Sequence, residues 1–189
     1  SESLLRSSAK MAKKHGVGLH THCGETIAEN EFSLEHFGRR PLDYLLECGW
    51  DYKQAWLAHG IHFNNSELET LSEQGIGVAH CPNANMRLGS GICPVPKMLE
   101  QGIKVGIGVD GSASNDSGHI LGELRQALYL ARVDGGAEAM SAMDALELGT
   151  WRAAELIGRD DIGRIAIGFC GDCALFPVED LYTSGCENA

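Results

Sequence analysis

The sequence is poor in basic residues and has no long apolar run. Its 189 residues include 15 Lys and Arg against 26 Asp and Glu, which gives a formal net charge of −11. Because binding to a phosphate backbone relies on clustered Lys and Arg, this balance argues against nucleic acid as a partner. No run approaches the roughly 18 apolar residues of a membrane span, and no secretory signal is visible. We therefore expect a cytoplasmic protein that binds neither nucleic acid nor a membrane.

The seven cysteines are scattered and odd in number, which predicts reduced thiols and not a disulfide framework. Cys170 and Cys173 form a lone C-x-x-C, but no second Cys or His pair accompanies them to close a zinc site. We interpret that spacing as chance. The chain also opens on Ser1 directly in a helical pattern that stops at Gly16. This start predicts that the sequence is a fragment of a longer protein.

Four strand-like runs each end in a residue that can bind a metal or move a proton. They end at His22, His59, His80 and Asp110, at spacings of 37, 21 and 30 residues. A strand, its crossover helix and the next strand take about 30 residues, so each spacing fits one βα unit. Right-handed crossovers place all four ends on one rim of a parallel sheet, where barrel enzymes hold their active sites. The pattern predicts an α/β fold, namely half of a (β/α)8 TIM barrel over residues 1–160.

The segments around these strands carry further local signals. We predict polar loops over residues 25–31 and 81–94, a helix over 66–74 capped by Ser66, and long helices over 118–133 and 141–157. From Gly163 the pattern changes to short apolar runs broken by Gly and Pro. This change predicts a small β-structure over residues 161–189.

His22 and Glu25 form H-x-x-E just after the first of these strands. At a strand end His22 can bind a metal, and Glu25 on the following turn can reach over the site as a proton shuttle. In the alternative interpretation, His22 is a histidine with satisfied hydrogen bonds and Glu25 is a solvated loop carboxylate. Short motifs match by chance often enough to keep both interpretations open.

Asp110 follows an all-apolar strand, where a carboxylate costs free energy unless it is paired or bound to a cation. We expect it to act as a metal ligand and a proton acceptor. The alternative is a helix cap, which is weakened because Ser112, Ser114 and Asn115 lie nearer the next helix.

The remaining histidines are open to two interpretations. His59 is expected to polarise a substrate or hold a water molecule, although a buried histidine with both nitrogens satisfied would show the same pattern. For His80 the two interpretations are balanced. Strand alternation predicts that His20 and His62 point to the other side.

A glycine pattern in the fourth strand is set aside. Gly106, Gly108 and Gly111 fit G-x-G-x-x-G, but Asp110 would oppose a pyrophosphate at the start of the following helix. Small residues inside a barrel strand explain the pattern better.

As a set, these motifs resemble the amidohydrolase superfamily, in its branch of cytosine/guanine deaminases and triazine hydrolases. The similar stretches are residues 22–26, 57–60, 79–91 and 108–115. Within that branch, residues 112–119 and 122–127 are most similar to 8-oxoguanine deaminases, and hydroxyatrazine N-alkylamine hydrolases are similar there too. Residues 163–176 resemble the family's return into a small β-sandwich.

The resemblance implies an aminohydrolase acting on C–N bonds in cyclic amidines, with 8-oxoguanine converted to urate and ammonia as the favoured reaction. It implies Zn²⁺, or Fe²⁺ or another divalent ion, with His22 and Asp110 as the ligands available here. Asp110 would take a proton from the attacking water, Glu25 would carry a proton to the ring nitrogen, and His59 would stabilise the developing charge. A small purine-like substrate and a homo-oligomeric full-length form are also implied.

The family supplies two more metal ligands as an H-x-H pair on its first barrel strand, and no strand precedes residue 17 here. We therefore expect this chain alone to be inactive. A function of another class stays open, namely a non-catalytic scaffold or binding module in which the strand-end groups are structural. Nucleotide binding by the turn at residues 106–111 is a third possibility.

Overall fold

The sheet consists of four parallel strands that lie side by side in chain order. A computed structural model describes residues 1–177, with strands Leu19–Cys23 (β1), Ala55–His59 (β2), Gly77–His80 (β3) and Val105–Ile107 (β4). Cys23 pairs with His59 and His80 pairs with Ile107, so the carboxyl ends of the strands meet at one edge. This is the arrangement predicted for consecutive βα units.

Nine α-helices precede, connect or follow the strands within the described residues. They are Glu2–His15 (α1), Ile27–Phe37 (α2), Pro41–Leu45 (α3), Asn65–Gln74 (α4), Pro82–Leu88 (α5), Val95–Glu100 (α6), Ile120–Gly135 (α7), Ala142–Leu148 (α8) and Trp151–Leu156 (α9). A π-helical turn, Leu46–Trp50, follows α3. Over residues 1–177, no helix has both the length and the apolar character needed to cross a membrane.

Two segments predicted as loops contain helices. The predicted polar loop after β1 holds the start of α2, because the Thr26 hydroxyl accepts a hydrogen bond from the Glu29 N–H at 3.1 Å and caps the helix. The predicted loop over 81–94 holds α5, which begins at Pro82. Proline favours the first helical position because its ring presets φ and its missing N–H is not needed there.

Three predicted helix boundaries are wrong. The cap of α4 is Asn64 and not Ser66, because Asn64 forms a reciprocal capping box with Glu67. The predicted helix over 141–157 is two helices, α8 and α9, which are separated at Gly149 and Thr150. The predicted helix over 118–133 begins at Ile120, and His119 is its cap.

The small β-structure predicted after residue 160 does not form within residues 161–177, which are irregular. Ile165, Ile167 and Leu175 are almost fully exposed. A strand needs a partner to accept its backbone hydrogen bonds, and the four described strands pair only with one another. Residues 178–189 lie outside the described residues, so the division of the chain at residue 160 stays a prediction.

Small residues on one face of β3 and β4 allow α9 to pack directly against the strand backbones. A Cβ added to Gly77 would lie 2.2 Å from Leu156 Cδ1 and 2.9 Å from the Lys104 carbonyl oxygen. A Cβ added to Gly106 would lie 2.9 Å from Leu156 Cδ2 and 3.0 Å from Ala153 Cα. Packing against a helix therefore accounts for Gly106, the first glycine of the G-x-G-x-x-G pattern.

Replacing Gly77 with alanine tests this packing. We expect Gly77→Ala to lower the free energy of unfolding by about 1–3 kcal/mol, because the added Cβ would collide with Leu156 of α9 and with the Lys104 carbonyl oxygen. Urea denaturation measures the change. Gly171→Ala is the matched control, since a Cβ there meets nothing within 4 Å, and we expect a change within about 0.5 kcal/mol. Equal stability of the two variants would contradict the close approach of α9.

Candidate functional site

The curved sheet brings three of the predicted site residues together at its carboxyl edge. His22, His59 and Asp110 each offer one ligand atom, and these atoms lie within 4.8 Å of one another. His22 Nε2 is 3.6 Å from Asp110 Oδ1, and the His22 and His59 rings stack with centroids 5.2 Å apart. A flat sheet would hold its first and fourth strands about 14 Å apart. The curvature of the sheet and the reach of both side chains close that gap.

No other group of three or more potential ligand residues is found within residues 1–177. Cys170 and Cys173, which form the lone C-x-x-C, are exposed and free. The candidate metal centre is therefore the cluster at the strand ends.

Two of the three residues have unusual backbone conformations. Among the described residues, His59 and Asp110 are the only non-glycine residues with positive φ, at 74° and 62°. This conformation costs on the order of 1–3 kcal/mol and persists only where surrounding contacts hold it. Strain at both positions of one cluster is typical of a functional site.

A buried amide fixes the orientation of His59. His59 and Asn85 are both fully buried, and His59 Nδ1 lies 2.8 Å from Asn85 Oδ1. Because an amide oxygen only accepts hydrogen bonds, Nδ1 carries the proton and Nε2 faces the cluster. His59 Nε2 is buried and has no hydrogen-bond partner among the described residues. A buried nitrogen without a partner fits a site that a metal ion or a substrate completes.

Glu25 lies on the turn between β1 and α2, beside His59. Its Oε2 atom is 3.8 Å from His59 Nε2, and its side chain is 25 % exposed. The Glu25 N–H donates to Glu29 Oε2 at 2.8 Å, which holds the backbone of the turn. The carboxylate is therefore near the cluster and still accessible from solvent, as a proton shuttle requires.

Hydrogen bonds keep Asp110 ionised. Its Oδ2 atom accepts a hydrogen bond from the Ser114 hydroxyl. Burial by itself would raise the pKa of Asp110, but the Ser114 hydroxyl, the Gly111 N–H, His59 and His22 together hold that pKa below its ordinary value. The helix-cap alternative is not supported, because α7 begins only at Ile120.

The prediction that His20 points away from the site is wrong. β1 stays regular to its end, so residues two apart share a face, and the His20 and His22 ring centroids are 6.4 Å apart. His20 stacks on Trp56 with centroids 5.1 Å apart, and its Nδ1 atom is 2.9 Å from the Trp56 carbonyl oxygen. His62 lies outside the cluster, and its Nε2 atom is 2.8 Å from the Ser90 carbonyl oxygen.

His80 is a buried neutral imidazole next to His59. It is 1 % exposed, and its Nδ1 atom has no hydrogen-bond partner among the described residues. Burial, and then the neighbouring His59, lower the pKa of His80 to about 3. His80 contributes no atom to the metal-ligand cluster.

Sequence reasoning missed the residues that hold the cluster in place. Asn85 lies in the segment predicted as a loop over residues 81–94, and Ser114 and Asn115 are predicted only as helix caps. Glu123 was not singled out, although it is fully buried. Asn85, Ser114 and Asn115 are polar residues within a few positions of a strand end that carries a site residue. That proximity is the signal that would have found them.

Comparisons with known proteins identify the family of this chain. Residues 1–188 match the amidohydrolase family. An 8-oxoguanine deaminase from Pseudomonas aeruginosa is 50% identical over 182 residues, which cover 96% of this chain and 40% of that protein. The chain thus spans about 40% of the length of the curated relatives it matches.

Two solved structures superpose over the whole chain. A zinc-bound adenosine deaminase from Xanthomonas campestris has a TM-score of 0.92 and 29% identity, with 100% of this chain and 44% of that one covered. A zinc complex of atrazine chlorohydrolase from Arthrobacter aurescens TC1 has a TM-score of 0.90 and 32% identity, with 100% and 42% covered. The predicted family resemblance and the predicted half barrel are confirmed.

The low pKa of His80 predicts a pH-dependent stability. Between about pH 6.5 and pH 3 the unfolded chain binds a proton at this position that the folded chain excludes. The stabilisation is therefore complete above pH 6.5 and is lost as the pH falls, by up to about 1.4 kcal/mol per pH unit.

Urea denaturation of wild type and His80→Gln from pH 7 to pH 4.5 measures this contribution. We expect the free energy of unfolding of the variant to fall less steeply than that of wild type. His36→Gln removes an exposed imidazole and serves as the control. Parallel curves for wild type and His80→Gln would show that His80 is accessible to protons.

Proposed function

The chain belongs to the amidohydrolase family, and we propose that the protein containing it is a metal-dependent hydrolytic deaminase of a purine-like base. The observation that carries the proposal is the convergence of His22, His59 and Asp110 around a buried, unpartnered His59 Nε2. The similarity to an 8-oxoguanine deaminase supports 8-oxoguanine as the substrate, with urate and ammonia as products.

His22 and Asp110 would hold a divalent cation, with Zn²⁺ favoured over Fe²⁺ because similar proteins contain zinc. A donor set of an imidazole nitrogen and a carboxylate suits this ion. When bound, the cation supplies Lewis-acid activation of a water molecule. Catalytic zinc sites use about three protein ligands, so we propose that further ligands come from barrel residues outside this chain.

The reaction needs a proton acceptor for the attacking water, and proton donors for the ring nitrogen and for the leaving amino group. Asp110, with its lowered pKa, accepts a proton from the attacking water. Glu25, which is partly exposed, delivers a proton to the ring nitrogen. The oxygen of the water becomes the new carbonyl oxygen of the ring, and its second proton restores the one that Glu25 gave up. Asp110 passes the proton it accepted to the amino group, which leaves as ammonia when the C–N bond breaks.

His59 would stabilise the charge that develops on the ring. Its Nδ1 proton is donated to the Asn85 amide oxygen, so Nε2 is the nitrogen that faces the substrate. Glu25 Oε2 lies 3.8 Å from Nε2, so both side chains face the same part of the site. The buried hydrogen bond to Asn85 keeps the ring in this orientation before the substrate binds.

The structural similarity to the atrazine chlorohydrolase supports a triazine ring as the alternative substrate. The second candidate is therefore a hydroxyatrazine-type N-alkylamine hydrolase. Both reactions displace a substituent from a nitrogen-rich ring with water. The same three side chains would act in both, so the substrates distinguish the candidates.

A direct assay separates these substrates. The full-length protein containing this chain, supplied with Zn²⁺, is expected to release ammonia from 8-oxoguanine. Coupled measurement of ammonia and ultraviolet detection of urate report the reaction. Turnover of a hydroxytriazine without turnover of 8-oxoguanine would overturn the substrate assignment.

Substitution of the proposed ligands tests the metal centre. We expect His22→Ala and Asp110→Asn to weaken Zn²⁺ binding at least about 10-fold, because each removes a ligand. Competition with a chromophoric chelator measures the affinity. His20→Ala is the matched control, since its ring lies on the same face 6.4 Å away. Unchanged Zn²⁺ affinity in both ligand variants would favour the non-catalytic scaffold.

A further inference from the structure

Glu123 is a fully buried carboxylate in the first turn of α7. It accepts three hydrogen bonds, from the Asn83 N–H at 3.1 Å, from Asn83 Nδ2 at 2.7 Å and from Asn115 Nδ2 at 2.6 Å. Burying a carboxylate costs free energy unless its oxygens are hydrogen-bonded. Here neutral amides supply those bonds, and they come from two segments that lie beside the candidate site.

The first segment is the loop that follows β4. Asn115 Nδ2 donates to Glu123 and also to the Val109 carbonyl oxygen at 2.7 Å, and Asn115 Oδ1 accepts from the Ser117 N–H at 3.0 Å. Val109 immediately precedes Asp110, whose backbone has positive φ. The amide of Asn115 therefore ties the strained end of β4 to Glu123.

The second segment is α5, which carries Asn85. The Asn83 N–H lies at the start of α5, just after Pro82, and has no partner within that helix. Glu123 Oε2 supplies the missing acceptor. Two residues further along, Asn85 Oδ1 contacts His59 Nδ1. Glu123 thus caps the short helix that orients His59.

We infer that Glu123 is a positioning residue, which through Asn115 and Asn83 fixes Asp110 and His59 relative to each other. This inference rests on the proposed function for its catalytic consequence. The side-chain hydrogen bonds of Glu123 within the described residues go to Asn83 and Asn115, and not to Asp110 or His59. Glu123 therefore acts through the two asparagines. One carboxylate thereby joins α5, which follows β3, to the segment that follows β4.

The arrangement requires a carboxylate and not merely a polar side chain. Three N–H groups point at the two oxygens of Glu123, and an ionised carboxylate offers only acceptors. Glutamine has the same shape but one acceptor oxygen. Its NH₂ group would face at least one of the three N–H donors whichever way the amide is turned.

The test compares Glu123→Gln with Asp134→Asn in the full-length, zinc-loaded protein. Asp134 is exposed near the other end of α7, so the control removes the same charge from the same helix. We expect Glu123→Gln to lower kcat about 10- to 100-fold with KM within about 3-fold, and to weaken Zn²⁺ affinity. The control should change neither.

A second measurement does not depend on the reaction. Hydrogen exchange of the amides over residues 109–117 should accelerate in Glu123→Gln relative to those of α1, which lies away from the site. Asn115→Ala, which leaves Glu123 in place, should reproduce both the kcat loss and the local exchange. If these effects share one route, the Glu123→Gln and Asn115→Ala losses in kcat will not add in the double variant.

The possible outcomes separate the two proposals. Absence of turnover in the wild-type protein, with faster exchange over residues 109–117 in Glu123→Gln, would reject the deaminase and keep the positioning role. Wild-type kcat, Zn²⁺ affinity and exchange in Glu123→Gln would overturn the positioning role. A uniform acceleration of exchange in every element would also overturn it, since Glu123 would then only stabilise the fold. If Glu123→Gln does not fold, Asn115→Ala decides by the same readouts.

Discussion

The distance between the ends of β1 and β4 is the constraint on which the candidate site depends. His22 belongs to the first strand of the sheet and Asp110 follows the last, yet their side chains approach to 3.6 Å. Parallel pairing in chain order brings all strand ends to one edge, and curvature then brings the outer two together. His59, at the end of β2, offers a ligand atom that lies within 4.8 Å of the ligand atoms of both residues. The site is therefore a product of sheet shape, and no single loop contains it.

Neutral amides and hydroxyls, rather than lysine or arginine, hold the charged groups of this site. Ser114 binds Asp110, Asn85 binds His59, and two asparagines bind Glu123. Such partners fix positions without cancelling charge. The carboxylate of Asp110 consequently keeps an attraction for a cation, which a neighbouring arginine would weaken.

The sequence allowed the strand ends to be predicted, and with them the cluster, because apolar runs and their polar ends are local patterns. Parallel topology followed from the spacing of those ends. The turn of the backbone at His59 was not predictable, since positive φ depends on contacts with distant residues such as Asn85. Glu123 was missed for the same reason: its partners lie 8 and 40 residues away in the chain. The face of His20 was predicted wrongly, because β1 stays regular to its end and residues two apart then share a face.

The close packing of α9 on β3 and β4 has a consequence for the order of events during synthesis. Leu156 meets the backbones of strands that are completed about 50 to 80 residues earlier, at Gly106 and Gly77. At roughly 5–20 residues per second on the ribosome, the face of the sheet that contains Gly77 and Gly106 is synthesised several seconds before α9, which covers it. Those seconds are a window in which chaperones or misfolding compete for the same surface.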